Sequence, residues 1–512
     1  EVALAMIGEP FHLRMPAIWG IRLDGALPPW VSAKDVILEL LRRHGVSGGL
    51  GRIIEYIGPG LRGLSAMDRH VIANMGAELG ATTTVFPADE AVRRFLRAQD
   101  RERDFAPLEA DDGAAYDVHD TIDLSRLEPL IALPSSPGNV VPVREVAGRE
   151  IYQAYIGSSA NPGYRDFAMA AAIVAGRRVH DRVSFDVNPT SRQMLLNLTA
   201  DGHIATLLRA GARVHQAGCN GCIGMGQAPA TDRISLRTVP RNFPGRSGTR
   251  EDQVYLVGPE TAAASALTGA ITDPRTLGVQ YPDVREPEHP LLDRAMFVAP
   301  LPADQARRVA LERGPNIHAL PPVPPLADSL DAPVLLKLGH DISTDEILPA
   351  GTRVLPFRSN IEHISEFAFE AIDREYASRA RQTHETGHVI VAGRNYGQGS
   401  SREHAALAPR YLGLRIVIAI QFARIHRDNL VNFGVLPLTF TDPADHDRIQ
   451  QGDVITVTGL HRAIRDPRPI ELEDTTRRIR VHAAHDLSSR QVDILLAGGL
   501  IPLVRRQLGR TS

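Results

Sequence analysis

The run Gly397-Gln398-Gly399-Ser400-Ser401-Arg402-Glu403-His404-Ala405-Ala406 decides how this chain is read. The β-rich Val389-Ile390-Val391 precedes it, and an alanine-rich segment follows. Strand, glycine-rich turn and helix in that order spell α/β construction. Backbone amides at such a turn and helix start gather into an anion site. Arg402 adds a guanidinium that can grip a carboxylate with two hydrogen bonds. Ser400 can serve as a base where those dipoles stabilise its alkoxide. The plainer alternative makes Ser400 an N-cap.

Working outward, Val334-Leu335-Leu336 and Ile416-Val417-Ile418-Ala419 supply further strands on either side of this motif. Asp341-Ile342-Ser343-Thr344-Asp345-Glu346 opens the region, with Arg358 shortly after, and an acid near an arginine can orient it. Residues 331–512 therefore read as one domain. Residues 301–330 before it read as a linker, because Pro321-Pro322 and Pro324-Pro325 favour extended, semi-rigid chain. Upstream, strands and helices alternate over two more regions, 1–115 and 116–300. Ser32 reads as the N-cap of a helix through Val36-Ile37-Leu38, its hydroxyl accepting an orphan amide. Further helices are expected over 87–99, 164–175, 191–210 and 259–271.

The chain has two cysteines, Cys219 and Cys222, in Gly218-Cys219-Asn220-Gly221-Cys222-Ile223-Gly224. Thiolates spaced this way can share one face of an iron–sulfur cluster, a zinc ion or a redox couple, or rest as buried inert thiols. Arg241 and Arg246, flanking Asn242-Phe243-Pro244-Gly245, suit a polycarboxylate, though a solvated loop reads the same way. Asn74 and Glu78 lie in the small-residue run Asn74-Met75-Gly76-Ala77-Glu78-Leu79-Gly80-Ala81-Thr82-Thr83. They read as inward-facing polar groups or as ordinary capping.

Bulk properties narrow the partners. The 512 residues carry 57 basic and 60 acidic side chains and are 43% hydrophobic, the balance of a globular protein of about three domains. A net charge of −3 gives no reason to expect nucleic acid. No apolar stretch reaches the roughly 18 residues of a membrane span. Two cysteines and no signal-peptide pattern lead to a cytoplasmic expectation.

Together these motifs resemble the aconitase family, which includes aconitate hydratase, homoaconitase and 3-isopropylmalate dehydratase. The likeness runs from Trp30-Val31-Ser32-Ala33-Lys34-Asp35-Val36 to Phe422-Ala423-Arg424-Ile425-His426 and Gly434-Val435-Leu436-Pro437-Leu438. It implies a multidomain α/β fold: α/β/α domains, then a C-terminal swivelling domain whose closure completes the site. It implies a hydro-lyase that interconverts citrate and isocitrate through cis-aconitate on a [4Fe-4S] cluster. Ser400 would be the base, with Asp345 and Glu78 handling proton and hydroxyl traffic. Arg241, Arg246, Arg358, Ser401, Arg402 and Asn74 would bind substrate, and Cys219 and Cys222 would hold the cluster. The covalent link between body and swivel domain resembles aconitase more than the two-subunit isomerases. A monomer acting on a small tricarboxylate, with no nucleic-acid or membrane partner, is expected.

Three departures stand against the pattern. Glu1–Pro10 resembles the end of the family's first domain, most of which has no counterpart here. Gly157-Ser158-Ser159-Ala160-Asn161 puts Ser159 where the family has its first cluster cysteine. Pro240 replaces an asparagine before Arg241. The alternatives are a homoaconitase or 3-isopropylmalate dehydratase type of isomerase, and a cluster-free relative that binds polycarboxylates without turnover.

Overall fold

The computed structural model describes residues 2–10, 12, 15–249, 251–349, 353–398 and 402–509. It divides into two units, 1–299 and 300–512.

In the first unit, β1 (Ala17–Asp24), β2 (Arg52–Ile57), β3 (Thr83–Val85) and β4 (Val118–Asp123) form a parallel sheet in the order β3-β2-β1-β4. The segment at 118–123, expected to open the second region, instead adds to β1, so the first sheet runs past the expected boundary at 115. The cause is a pairing across a long connection, which local sequence does not encode. A second sheet takes β5 (Leu130–Ala132), β6 (Val140–Pro142), β7 (Gln153–Gly157), β8 (Ser184–Asn188), β9 (Arg213–Val214), β10 (Ile234–Arg237) and β11 (Gln253–Val257). Its strands β7 to β11 are parallel; β5 and β6 are antiparallel additions at one edge. Parallel strands with both faces covered are apolar throughout, and β7 is buried along its length. The two sheets share a core in which Trp19, Ile37 and Tyr56 join Tyr155, Val239 and Leu256.

The local expectations hold with changes. The helix Ala33–His44 starts after Ser32, but the Ser32 hydroxyl donates to Asp35 Oδ2 (3.0 Å) rather than accepting an amide. The 191–210 segment is two helices, Arg192–Ala200 and His203–Ala210, broken at Gly202, whose φ of 79° is left-handed. The last upstream helix is Pro259–Thr268, stopped by left-handed Gly269.

In the second unit, β12 (Leu330–Lys337), β13 (His388–Ala392), β14 (Leu414–Ala419), β15 (Leu436–Phe440), β16 (Val454–Val457), β17 (Ile470–Asp474) and β18 (Ile479–Ala484) close into a barrel. Strand β12 closes it by pairing parallel with β13 and antiparallel with β16. The short helix Thr344–Ile347 and the helix His404–Tyr411 pack over a core containing Phe369, Tyr376 and Tyr396.

Candidate active-site residues

In a parallel sheet the C-terminal strand ends lie on one edge, where ligand loops gather. The turn after β7 carries Ser158 and Ser159, the loop after β9 carries the cysteines, and the loop after β10 carries Arg241 and Arg246.

Cys219 is exposed and Cys222 buried. A hydrogen bond from Cys222, joined by one from the Ser159 amide, holds the Cys219 thiol down to about 5. The same bond, with burial, pushes Cys222 up. Cys219 Sγ lies 3.8 Å from the hydroxyl of Ser158, a buried residue with φ of 80°. Arg246 Nη2 donates to Cys222 Sγ at 3.5 Å. The Ser159 carbonyl is engaged by His70 Nε2 at 3.0 Å.

Glu78 follows the helix Ala66–Gly76, whose last turn carries half-buried Asn74. Arg241 Nε donates to Glu78 Oε1 at 2.6 Å. Burial pushes the Glu78 carboxyl up, against the pull of Arg241, Arg246 and Lys34. The first unit therefore brings Glu78, Arg241, Arg246 and the two thiols into one electrostatic neighbourhood.

In the second unit, Arg402 Nη1 pairs with Asp345 Oδ1 at 2.8 Å and donates to the carbonyls of Thr344 (3.3 Å) and Leu348 (2.5 Å). The acid thus orients Arg402, not Arg358. Arg358 is exposed, and its carbonyl accepts from His404 Nε2 at 2.8 Å. Ser400 and Ser401 lie outside the described residues. The helix that follows begins at His404, with Glu403 as its N-cap.

The donor set bears on the cluster. Among the described residues, no three or more histidine, cysteine, aspartate or glutamate side chains converge as metal ligands. Two free thiols that share a hydrogen bond, beside a serine hydroxyl and a guanidinium, fit a cluster held by two thiolates and one oxygen; they do not fit a three-thiolate cluster.

Sequence reasoning missed Lys34 and Arg237. Both are fully buried, and Arg237 Nη1 donates to the carbonyl of Gly221, inside the cysteine loop, at 2.7 Å. A charged side chain beside an apolar run was the available signal in each case.

The first unit is an α/β body with thiols and arginines at one strand-end edge, and the second unit is a barrel. The chain belongs to the aconitase family. A model of that family (aconitate hydratase) matches residues 1–150 and 144–269, and one of the aconitase C-terminal domain matches 367–443. A putative mitochondrial aconitate hydratase of Aspergillus fumigatus is 33% identical over 98% of this chain and 72% of its own length. The mitochondrial aconitate hydratase of Saccharomyces cerevisiae is 33% identical over 89% and 66%, and the mitochondrial homocitrate dehydratase of that yeast 31% over 97% and 72%. A crystal structure of 3-isopropylmalate dehydratase (leuD) from Methanocaldococcus jannaschii aligns at TM-score 0.29 and 28% identity, over 35% of this chain and 95% of that one.

These relatives correct the cytoplasmic expectation, because the aconitate hydratases among them are named mitochondrial. Scarce cysteines mark a reducing compartment, and that property does not separate cytosol from organelle. Among the described residues, no helix is long and apolar enough to cross a membrane.

Proposed function

We propose that the chain interconverts citrate and isocitrate through cis-aconitate, by loss and re-addition of water at neighbouring carbons. The observation that carries this reading is the Arg241–Glu78 pair beside Arg246 and the two thiols, cations and a buried acid beside donors for a cluster. In this reading Arg241 and Arg246 bind substrate carboxylates in the first unit, with Asn74 nearby, and Arg402, Arg358 and Ser401 do so in the second. Asp345 keeps the Arg402 guanidinium oriented, which spares the substrate the cost of ordering a long side chain. Ser400 takes the carbon-bound proton, and Glu78, whose carboxyl burial pushes up, exchanges the proton of the departing hydroxyl. Cys219, Cys222 and an oxygen of the Ser158–Ser159 turn would hold a [4Fe-4S] cluster, which when bound supplies a Lewis acid at an open iron.

Turnover on citrate/isocitrate, homoaconitate/homoisocitrate and the two isopropylmalates tests the proposal. It requires the first pair to react fastest; a preference for either of the others reassigns the substrate. The presence of only two thiols favours a second reading, a polycarboxylate-binding relative without turnover. Calorimetric citrate binding with no reaction on any pair would select it.

A further inference from the structure

Lys34 has no role in the scheme above, yet it is a buried cation with every donor engaged. It sits in the first turn of the helix Ala33–His44 and is fully buried. An ammonium has three N–H donors. Here they meet three amide oxygens: Asn161 Oδ1 at 3.2 Å, the Thr238 carbonyl at 3.0 Å and the Val239 carbonyl at 3.2 Å. No carboxylate is among these partners. Burial pushes the ammonium down to about 7, while Asp166, Asp35, Cys222 and Glu78 act on it as surrounding charges. Burying such a charge is costly unless its hydrogen bonds achieve something.

The oxygens it holds come from two turns. Asn161 ends the turn after β7 that carries Ser158 and Ser159. Thr238 and Val239 begin the loop after β10 that leads to Arg241. Asn161 is in turn fixed by donating to Asp166 Oδ1 at 3.1 Å. The strand ends themselves are already joined without Lys34: the Gly157 amide donates to Thr238 Oγ1 at 3.0 Å, and that hydroxyl donates to the Gly157 carbonyl at 2.9 Å. Two of the three Lys34 bonds, those to Asn161 and Val239, fall beyond that junction, on the parts of the turns that lead into the site.

We propose that Lys34 is a positioning residue, whose single ammonium clamps the Ser159-bearing turn to the Arg241-bearing turn and so sets the geometry for binding a polycarboxylate. The proposal rests on the polycarboxylate reading of the site.

The test uses the full chain with Lys34→Met, which keeps length and removes charge and donors. Peptide-resolved hydrogen exchange should quicken at least tenfold in both 157–161 and 238–242, with β1 and β7 unchanged. Calorimetric affinity for tricarballylate, a non-reacting tricarboxylate, should fall at least fivefold well below the melting temperature; in turnover the loss should fall on KM and not on kcat. Unchanged exchange in either turn, equal quickening throughout the unit, or loosened turns with unchanged affinity would each overturn the proposal. Should the wild-type chain not bind tricarballylate, the polycarboxylate reading fails while the exchange comparison still decides the clamp. If Lys34→Met does not fold, Asn161→Ala removes one arm: faster exchange in 157–161 with weaker binding supports the clamp, and no change sinks it.

Discussion

Arg241 Nε and Glu78 Oε1 meet at 2.6 Å, joining a half-exposed guanidinium to a buried carboxylate. The pair is asymmetric. Glu78 depends on Arg241 for its charge, whereas Arg241 keeps other N–H groups for a ligand. Arg241→Ala should therefore destabilise the fold by about 1–3 kcal/mol, the cost of a buried acid left without its partner. Glu78→Gln should cost less, since an amide can still accept from the guanidinium. Urea unfolding of both variants at pH 7.5 checks the order.

Arg402 is held by Asp345 and two carbonyls before any ligand arrives. Arg402→Ala should weaken tricarboxylate binding by roughly 2–4 kcal/mol if the guanidinium meets a carboxylate away from bulk water. Titration calorimetry reads this directly, and an unchanged Kd would remove Arg402 from the site.

His426 packs its ring on Gly397 and Tyr396, with both nitrogens buried and, among the described residues, unpartnered. Burial holds its pKa down to about 4, against 6.5 in an unfolded chain. Between those values the unfolded state binds a proton that the folded state refuses, so stability falls as pH drops from 6.5 to 4. His388, lowered to about 3 by burial, acts in the same direction. His426→Phe should leave stability at pH 7 nearly unchanged or raised, and should remove roughly 3 kcal/mol of the loss between pH 7 and pH 4. Denaturant melts at both pH values measure it.

Ser159→Cys should at least double the iron and acid-labile sulfide retained per chain after anaerobic reconstitution, because a third thiolate is a better iron ligand than a hydroxyl. Retention equal to wild type would show that the oxygen donors of this turn already suffice, or that Ser159 faces elsewhere.

Sequence reading found what short-range patterns encode. The alternation of strands and helices and the helix start after Ser32 are both local. What it missed depends on long-range packing. Lys34 lies 127 residues from Asn161 and 204 from Thr238, so its three bonds exist only once the second sheet has formed. Asp345 lies close to Arg358 in the sequence, but the fold gives it to Arg402. The 191–210 segment kept its apolar period through Gly202, and the left-handed turn there outweighed it. Ser32 does precede the helix, yet its hydroxyl donates to the neighbouring carboxylate of Asp35.

Because β12 pairs on both sides, the described strands of the second unit leave no row of backbone amides open to a neighbour. Such a closed ring neither templates sticky self-association nor waits for a strand supplied from elsewhere. In evolutionary terms it is portable: a gene can gain, lose or split off this part without leaving an unpaired strand edge among the described strands.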